Sequence, residues 1–344
     1  MSFTSIIVPC YNEEATIGLL LETIARQTVP TNRLEVIIAD GLSNDRTRQR
    51  ITEFQQACPG LTIRLIDNPA RTIPAALNKA IQAARGDYII RLDAHSMPYP
   101  DYVERCMAVL ETGQAANAGG VWEIKPGDGG PNRPGVMARG IAAAAAHPFG
   151  VGDALYRYTD KARAVDTVPF GAFRRDLVDK IGGFDETLLT NEDYEFNIRV
   201  RKAGGVVWLD PSIRSVYFAR SSLGALLRQY WRYGFWKARM LLRYPHTLRW
   251  RQALPPLFVM SLLLLGLAAI FFAWARLLLS VESGMYLLVL LTAGCQVAIK
   301  KHDLGLIFFT PMAIAVMHIT WGAGLLWSLF LSFWQRKNLP TTVS

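Results

Sequence analysis

The sequence predicts an α/β domain with a doubly wound, mostly parallel sheet, followed by interfacial and membrane-spanning helices. Three observations predict it. Short apolar strand patterns alternate with amphipathic helix patterns through the N-terminal two thirds, the order expected of βαβ units. Asp40, Asp67, Asn68 and Asp93 all stand where such strands end, and ligands of open α/β sheets gather at the carboxyl ends of the strands. The final quarter carries uncharged runs long enough to cross a ~30 Å hydrocarbon layer.

In chain order, Ser5 to Val8 reads as the first strand, and Asn12 as the N-cap of a helix with Ile17, Leu20, Leu21 and Ile24 on one face. Val36 to Ala39 and Thr62 to Ile66 are the next strands. Pro74 opens a helix whose apolar face is Leu77, Ala80, Ile81 and Ala84, and Gly86 ends it. The strand Tyr88 to Leu92 follows, then a helix from Asp101 to about Gly113. Regularity is lost from Gly119 to Arg139, where Gly127 to Gly130, Pro131 and Pro134 predict a long loop. The Ala142 to Ala146 run reads as a helix turn. Asn191 is the expected N-cap of a helix bearing Phe196, Ile198 and Val200.

Three apolar runs close the chain: Leu254 to Trp274, Ser283 to Ile299, and Leu304 to Trp334, the last interrupted by Pro311. The third is either one tilted helix or a re-entrant piece plus a span, so two to four helices are expected. The resulting division is a catalytic domain over 1–213, interfacial helices over 214–252, a transmembrane region over 253–335 and a tail over 336–344. The N-terminus lacks the features of a signal peptide, which leads us to expect the catalytic domain to face the cytoplasm. Cys10, Cys58, Cys106 and Cys295 lack metal-ligand spacing and suit a reducing compartment. Lys300-Lys301 is expected on the cytoplasmic side too.

The formal net charge of +9 has a location. Arg214, Arg220, Arg228, Arg232, Lys237, Arg239, Arg243, Arg249 and Arg251 alternate with aromatic residues just before the first apolar run. Basic and aromatic residues beside a span suit a helix lying on anionic lipid. The alternative is a solvated charged helix. Nucleic acid is not expected as a partner, because the patch is continuous with a membrane segment.

No Gly-x-Gly-x-x-Gly follows the first strand, there is no Walker lysine pattern, and no Ser or Cys sits in a nucleophile elbow. What is present is acidic. Asp40, before Gly41-Leu42-Ser43-Asn44-Asp45, can accept from a base or ribose, or can simply close an Asx-type turn. Asp93 and His95, two apart on an extended backbone, point to one side and can hold a divalent ion; the alternative is a strand-end turn with a surface histidine. Glu192 and Asp193 fall in a helix first turn, where the dipole favours the ionised form. They can supply a general base or only complement the helix start. Gln229, Trp231 and Arg232 lie just before the membrane, where interfacial anchoring is the simpler reading.

Together these motifs resemble family 2 glycosyltransferases of the inverting GT-A type. Ser5-Ile-Ile-Val-Pro-Cys-Tyr-Asn-Glu13, Asp40-Gly41-x-Ser43-x-Asp45, Arg71…Ala76-x-Asn78, Asp93-x-His95, Glu192-Asp193 and Gln229-x-x-Arg232 stand in that family's order. Arg91-Leu-Asp-Ala-His-Ser96, His147-Pro-Phe-Gly-Val-Gly152 and Asp166 to Arg175 look like the ExoA-like subgroup, membrane-bound β-glucosyltransferases of succinoglycan-type exopolysaccharide assembly. The resemblance implies a Rossmann-like GT-A fold with Pro9, Asn12, Glu13 and Asp40 at the uridine, and Asn68, Arg71 and Asn78 at the nucleoside or its phosphates. It implies Asp93 at the ribose or ion, His95 on the metal and Asp193, with Glu192 beside it, as base. Arg232, with Gln229 and Trp231, is implied at the diphosphate. The usual last residue of the metal motif is Asp; His95 in its place shifts the expected preference from Mg2+ toward Mn2+. Tyr233 departs from the Gln-x-x-Arg-Trp pattern of processive synthases.

The expected function is transfer of a sugar, glucose first, from a UDP-sugar to a polyprenyl-diphosphate-linked saccharide in exopolysaccharide or cell-surface glycan synthesis. The expected site of action is the cytoplasmic (inner) membrane, with lipids and other glycan-assembly enzymes as partners. A second reading transfers the sugar directly to polyprenyl phosphate or another lipid. A third, a non-catalytic membrane scaffold, is opposed by the intact Asp93, His95 and Asp193.

Overall fold

The computed structural model of the chain describes residues 3–127 and 134–337. In chain order the elements are β1 Thr4–Cys10, α1 Ile17–Ala25, β2 Leu34–Asp40, α2 Thr47–Ala57, β3 Thr62–Asp67, α3 Ile73–Ala83, β4 Tyr88–Arg91, β5 Met97–Pro98, α4 Tyr102–Glu111 and β6 Asn117–Lys125. There follow α5 Val136–Ala145, α6 Pro148–Val151, β7 Arg163–Ala164, β8 Ala172–Arg174, α7 Asp176–Ile181, α8 Glu192–Lys202 and β9 Val207–Phe218. The chain closes with α9 Leu223–Arg243, α10 Trp250–Ala269, α11 Ala273–Lys301 and α12 Leu306–Lys337. Two compact units result: Met1–Glu123 with Tyr158–Tyr217, and Ile124–Arg157 with Phe218–Ser344.

The first unit is built on a curled sheet in the order β3-β2-β1-β4-β8-β6-β9-β5, with β7 against β9. Strands β1 to β4 are parallel, whereas β8 is antiparallel to both β4 and β6. The central strands β1 and β2 are buried along their whole length, as parallel strands covered on both faces must be. One face joins Ile6, Val8, Val36, Ile38 and Ile90 to Ile17, Leu20, Leu21 and Ile24 of α1. Helix α3 starts at Ile73 with the expected Pro74 in its first turn, and buries Ala76, Leu77, Ala80 and Ile81. It ends before Gly86, so that glycine does not cap it. A Cβ there would lie 2.6 Å from Ser5 N, so Gly86 lets the chain pass close to β1.

Other local expectations are corrected. Asn12 does not cap α1: the helix starts at Ile17 after Thr16, and Asn12 is held instead by the turn after β2. Gly119 to Lys125 is strand β6 rather than loop, because its small residues pack flat against β8 and β9. Of the predicted loop, residues 128–133 lie outside the described residues. Arg214 and Tyr217 belong to β9, not to interfacial helices: Arg214 lies 4.3 Å over the Tyr99 ring, and Tyr217 stacks on Trp122 at 4.4 Å.

In the second unit α12 packs against α5, α9, α10 and α11. It is one continuous helix through Pro311, which removes the re-entrant alternative. Gly294 of α11 makes room for that proline; a Cβ at 294 would sit 2.7 Å from the Pro311 ring. At the α9–α12 crossing, a Cβ on Gly234 would lie 2.0 Å from Trp321 O, and one on Gly324 would lie 2.5 Å from Trp231 O. Three helices, Trp250–Ala269, Ala273–Lys301 and Leu306–Trp334, are long and apolar enough to cross a membrane. Glu282 falls inside α11 and accepts a hydrogen bond from the Ser261 hydroxyl of α10, which lowers the cost of a carboxylate between apolar helices. Ile124–Arg157, assigned to the catalytic domain on sequence, groups with these helices.

Candidate active site

The turns that follow β1, β2 and β3 share an uncommon backbone. Asn12, Leu42 and Arg71 take positive φ values of 54°, 59° and 55° without being glycine. Such residues cost on the order of 1 kcal/mol or more and persist where the surroundings over-determine them. Here they do. The Asn12 N–H donates to Ser43 Oγ at 2.8 Å, and Asn44 N–H donates back to Asn12 Oδ1 at 3.0 Å. Glu13 N–H donates to Thr47 Oγ1 at 2.7 Å. Asn68 N–H donates to Asp40 O at 2.7 Å, and Arg71 N–H to Asn68 O at 3.0 Å.

These bonds lace three strand ends into one rim. Asp40 at that rim is 0% exposed. Its carboxylate accepts from the Ser43 hydroxyl and N–H and from Arg48, which also bridges to Asp67 at 2.8 Å. The exposed Tyr11 ring lies beside it, with the Arg71 guanidinium 5.7 Å over its centre. Asn68 is buried and its Oδ1 finds no partner in the protein, an acceptor suited to a polar ligand.

Asp93-Ala94-His95 is not extended strand. Strand β4 stops at Arg91, and Ser96 closes a turn by donating its N–H and hydroxyl to Asp93 O at 2.8 and 2.7 Å. The turn sends the two side chains to different partners. His95 Nδ1 lies 3.0 Å from Glu13 Oε1. Burial alone would raise the Glu13 carboxyl, but hydrogen bonds from His95 and Thr16 outweigh it and hold Glu13 below its ordinary range. An ionised Glu13 accepts, so Nδ1 carries the hydrogen, which orients the imidazole and assigns its lone pair to Nε2.

Arg91, which the sequence reading did not place in the site, ties its two halves together. Its side chain is 6% exposed; Nε lies 3.0 Å from Asp93 Oδ1, and Nη2 lies 3.0 Å from Glu192 Oε1. Desolvation opposes the guanidinium charge, but Asp93, Glu192 and Asp193 raise its pKa well above the ordinary value. Its backbone N–H donates to Gly171 O at 3.0 Å, next to Phe170, another left-handed residue at φ 63°. Phe170 tilts against Trp122 of the Trp122–Tyr217 stack.

Glu192 and Asp193 open α8, as expected. Asn191 stands at the cap position, yet its φ is 68° and its side chain makes no cap bond, because the chain enters the helix through a left-handed turn. Glu192 is buried against Arg91. The half-buried Asp193 accepts the Tyr194 N–H at 2.7 Å. Burial, then the charge of Glu192, pushes its pKa up to about 6, with Arg91 partly opposing. That places it near the working range of a general base.

The other expected residues have these local settings. Pro9 is buried inside β1. Asn78 clips the loop before α8: it donates to Phe184 O and Glu186 Oε1 and accepts from Phe184 N–H. Gln229, Trp231 and Arg232 are on α9 of the second unit. Trp231 and Arg232 are exposed, and Gln229 donates to the Tyr233 hydroxyl at 2.8 Å. Among the described residues, no three His, Cys, Asp or Glu side chains converge as a ready-made metal cage. Asp93 could offer a divalent ion one carboxylate, and His95, oriented by Glu13, one imidazole.

Comparison with known proteins identifies the family. The chain is 29% identical over 334 residues to the succinoglycan biosynthesis protein ExoA of Rhizobium meliloti (strain 1021), covering 96% of each. It is 28% identical over 300 residues to the dolichyl N-acetyl-alpha-D-glucosaminyl phosphate 3-beta-D-2,3-diacetamido-2,3-dideoxy-beta-D-glucuronosyltransferase of Methanococcus voltae, covering 83% of this chain and 91% of that one. The solved mannosyltransferase PcManGT from Pyrobaculum calidifontis, in complex with GDP-Man and Mn2+, shares the fold with a TM-score of 0.60 at 20% identity, over 95% of this chain and 87% of that one. Residues 5–182 match the Glycosyl transferase family 2 description. With a GT-A-type sheet, acidic strand ends and relatives in polysaccharide and lipid-linked glycan synthesis, the chain belongs to glycosyl transferase family 2 and is a glycosyltransferase.

Proposed function

We propose that the chain transfers a sugar, glucose first, from a UDP-sugar to a polyprenyl-diphosphate-linked saccharide at the cytoplasmic membrane, with inversion at the anomeric carbon. The observation that carries the reading is Asp193, a half-buried carboxylate with a raised pKa, held beside the Arg91–Asp93 pair. A base of that strength can take the proton of an acceptor hydroxyl as it attacks. One in-line displacement then converts an α-linked donor into a β-linked product.

The rim of Asn12, Asp40, Asn68 and Arg71 suits the nucleoside. Asp40 is fixed by three donors, and Tyr11 offers a flat face at the mouth. Asp93 and His95 would hold a divalent ion, which when bound supplies positive charge to the departing diphosphate. The imidazole favours Mn2+ over Mg2+. Arg232, Gln229 and Trp231, on a basic amphipathic helix, suit the diphosphate of a lipid-linked acceptor. With three crossings, Arg249, Arg251 and Lys300-Lys301 would share the cytoplasmic side. The relatives' names support a lipid-linked acceptor, since one acts on a dolichyl-phosphate-linked sugar.

Transfer directly to polyprenyl phosphate is the second reading, favoured by the same basic helix. One experiment separates them: purified protein in detergent with Mn2+, a panel of UDP-sugars, and either polyprenyl phosphate or a polyprenyl-linked saccharide extract. A mass increase of one hexose on the saccharide extract alone supports the first reading. Product on polyprenyl phosphate alone overturns it, and absence of UDP release with every acceptor overturns both.

A further inference from the structure

We propose that Arg91 is the positioning residue of the transfer site. One buried guanidinium spaces Asp93, on the donor side, from Glu192, on the base side, so that Glu192 anchors α8 and Asp193 alone meets the acceptor. The inference rests on the glycosyl-transfer reading above and divides its labour.

The geometry makes the two acidic residues at the start of α8 unequal. Glu192 is 5% exposed and its Oε1 lies 3.0 Å from Arg91 Nη2. Asp193 is half-buried and accepts only the Tyr194 N–H among the hydrogen bonds described for its side chain. Arg91 uses two different nitrogens for two carboxylates on elements far apart in sequence, the end of β4 and the start of α8. A guanidinium is a planar fork whose N–H vectors are fixed relative to one another. Asp93 is hydrogen-bonded to one edge of that fork and Glu192 is ion-paired with another of its nitrogens, so the rigid guanidinium sets the separation of the two carboxylates. Lysine, a single charge on a flexible stem, can neutralise both but cannot fix their spacing.

The backbone of Arg91 is fixed as well. Its N–H is bonded to Gly171 O, and β4 is paired with β1 on one side and β8 on the other. The fork thus projects from the rigid centre of the sheet. The start of α8 lacks a side-chain cap: Asn191 enters it in a left-handed turn. Glu195, in the first turn of the helix, pairs with Arg199, which bonds Ile181 O, Gly182 O and Gly183 O. That clamp holds the helix from one side, and the Arg91–Glu192 pair fixes its first residue, next to Asp193.

The test uses the full chain in detergent, with UDP release under Mn2+ as the activity, UDP affinity by calorimetry and Tm as the check on folding. Glu192→Gln keeps an oxygen acceptor for Arg91, whereas Glu192→Ala removes it. Positioning predicts a loss in kcat of about tenfold for Gln and at least ~100-fold for Ala, with UDP affinity within about threefold in both. Arg91→Lys should lower kcat at least ~100-fold at unchanged UDP affinity. Combined with Glu192→Ala it should cost little more than either alone, because both act through one strut. Where Ala does not fold, Glu192→Gln decides. Equal inactivation by Gln and Ala in folded protein would make Glu192 a reacting group and overturn the proposal. Additive losses in the double variant, or loss of UDP affinity with kcat intact, would overturn it too. A wild-type protein that binds no UDP and releases none would overturn the transfer reading itself.

Discussion

At the scale of single residues the site is a small set of charges whose order matters more than their number. Asp193 has the raised pKa, and a base acts only after losing its proton. We therefore expect kcat/KM to rise with pH through about 6 and to level above it; a pH–rate profile that stays flat down to pH 5 would exclude Asp193 as the base. Asp193→Asn should lower transfer at least ~1000-fold while UDP binds as before, since the carboxylate is needed as the hydroxyl attacks and not when the donor binds. His95→Asp should move the metal optimum from Mn2+ toward Mg2+, read by titrating each ion against UDP affinity; an unchanged order would remove His95 from the ion. Asp40, Asp93, Glu192 and Asp193 were legible in the sequence because strand ends and a helix first turn are where an α/β fold puts ligand groups. Arg91 was not. Its charge inside an apolar strand reads as an ordinary exception until α8, a hundred or so positions onward, brings Glu192 against it.

At the scale of elements the strands were legible and the turns were not. Seven buried residues in each of β1 and β2 announce a covered parallel sheet. The left-handed positions Asn12, Leu42 and Arg71 are not themselves glycines; hydrogen bonds between neighbouring strand ends hold them. The same holds for β6, whose Gly119 and Gly120 look like loop but allow close strand contact. A Cβ on Gly120 would lie 1.8 Å from Ile213 O. Gly120→Ala should consequently lower the Tm of the purified protein by several degrees, in line with a backbone clash that no rotamer change relieves. A Tm within a degree of wild type would show that β9 can move aside. Helix α12 gives the opposite lesson: Pro311 suggested a break, yet a proline near the start of a long helix forfeits little when a glycine on the neighbouring helix receives its ring.

At the scale of the whole molecule, Ile124–Arg157 is the decisive segment. Its position between strands β6 and β7 hides that α5 packs on α12: a Cβ on Gly140 would lie 2.6 Å from Phe309 Cβ. Cutting the chain after Arg251 would remove α12 and strip the apolar faces of both α5 and α9. We expect the truncated protein to aggregate on size-exclusion chromatography in the absence of detergent. A monodisperse, soluble product would show that α5 and α9 find cover without α12.

The dependence of α5 on α12 also sets a timetable for biosynthesis. A ribosome releases α5 long before it makes α12, and every helix that packs against α12 emerges before it. Until then α5 has only its lesser contacts with α6 and α9 in its own unit. Packing of this half must wait for α12, so substitutions that disrupt α12 should act on the chain as folding failures, cleared by proteases before any sugar is transferred.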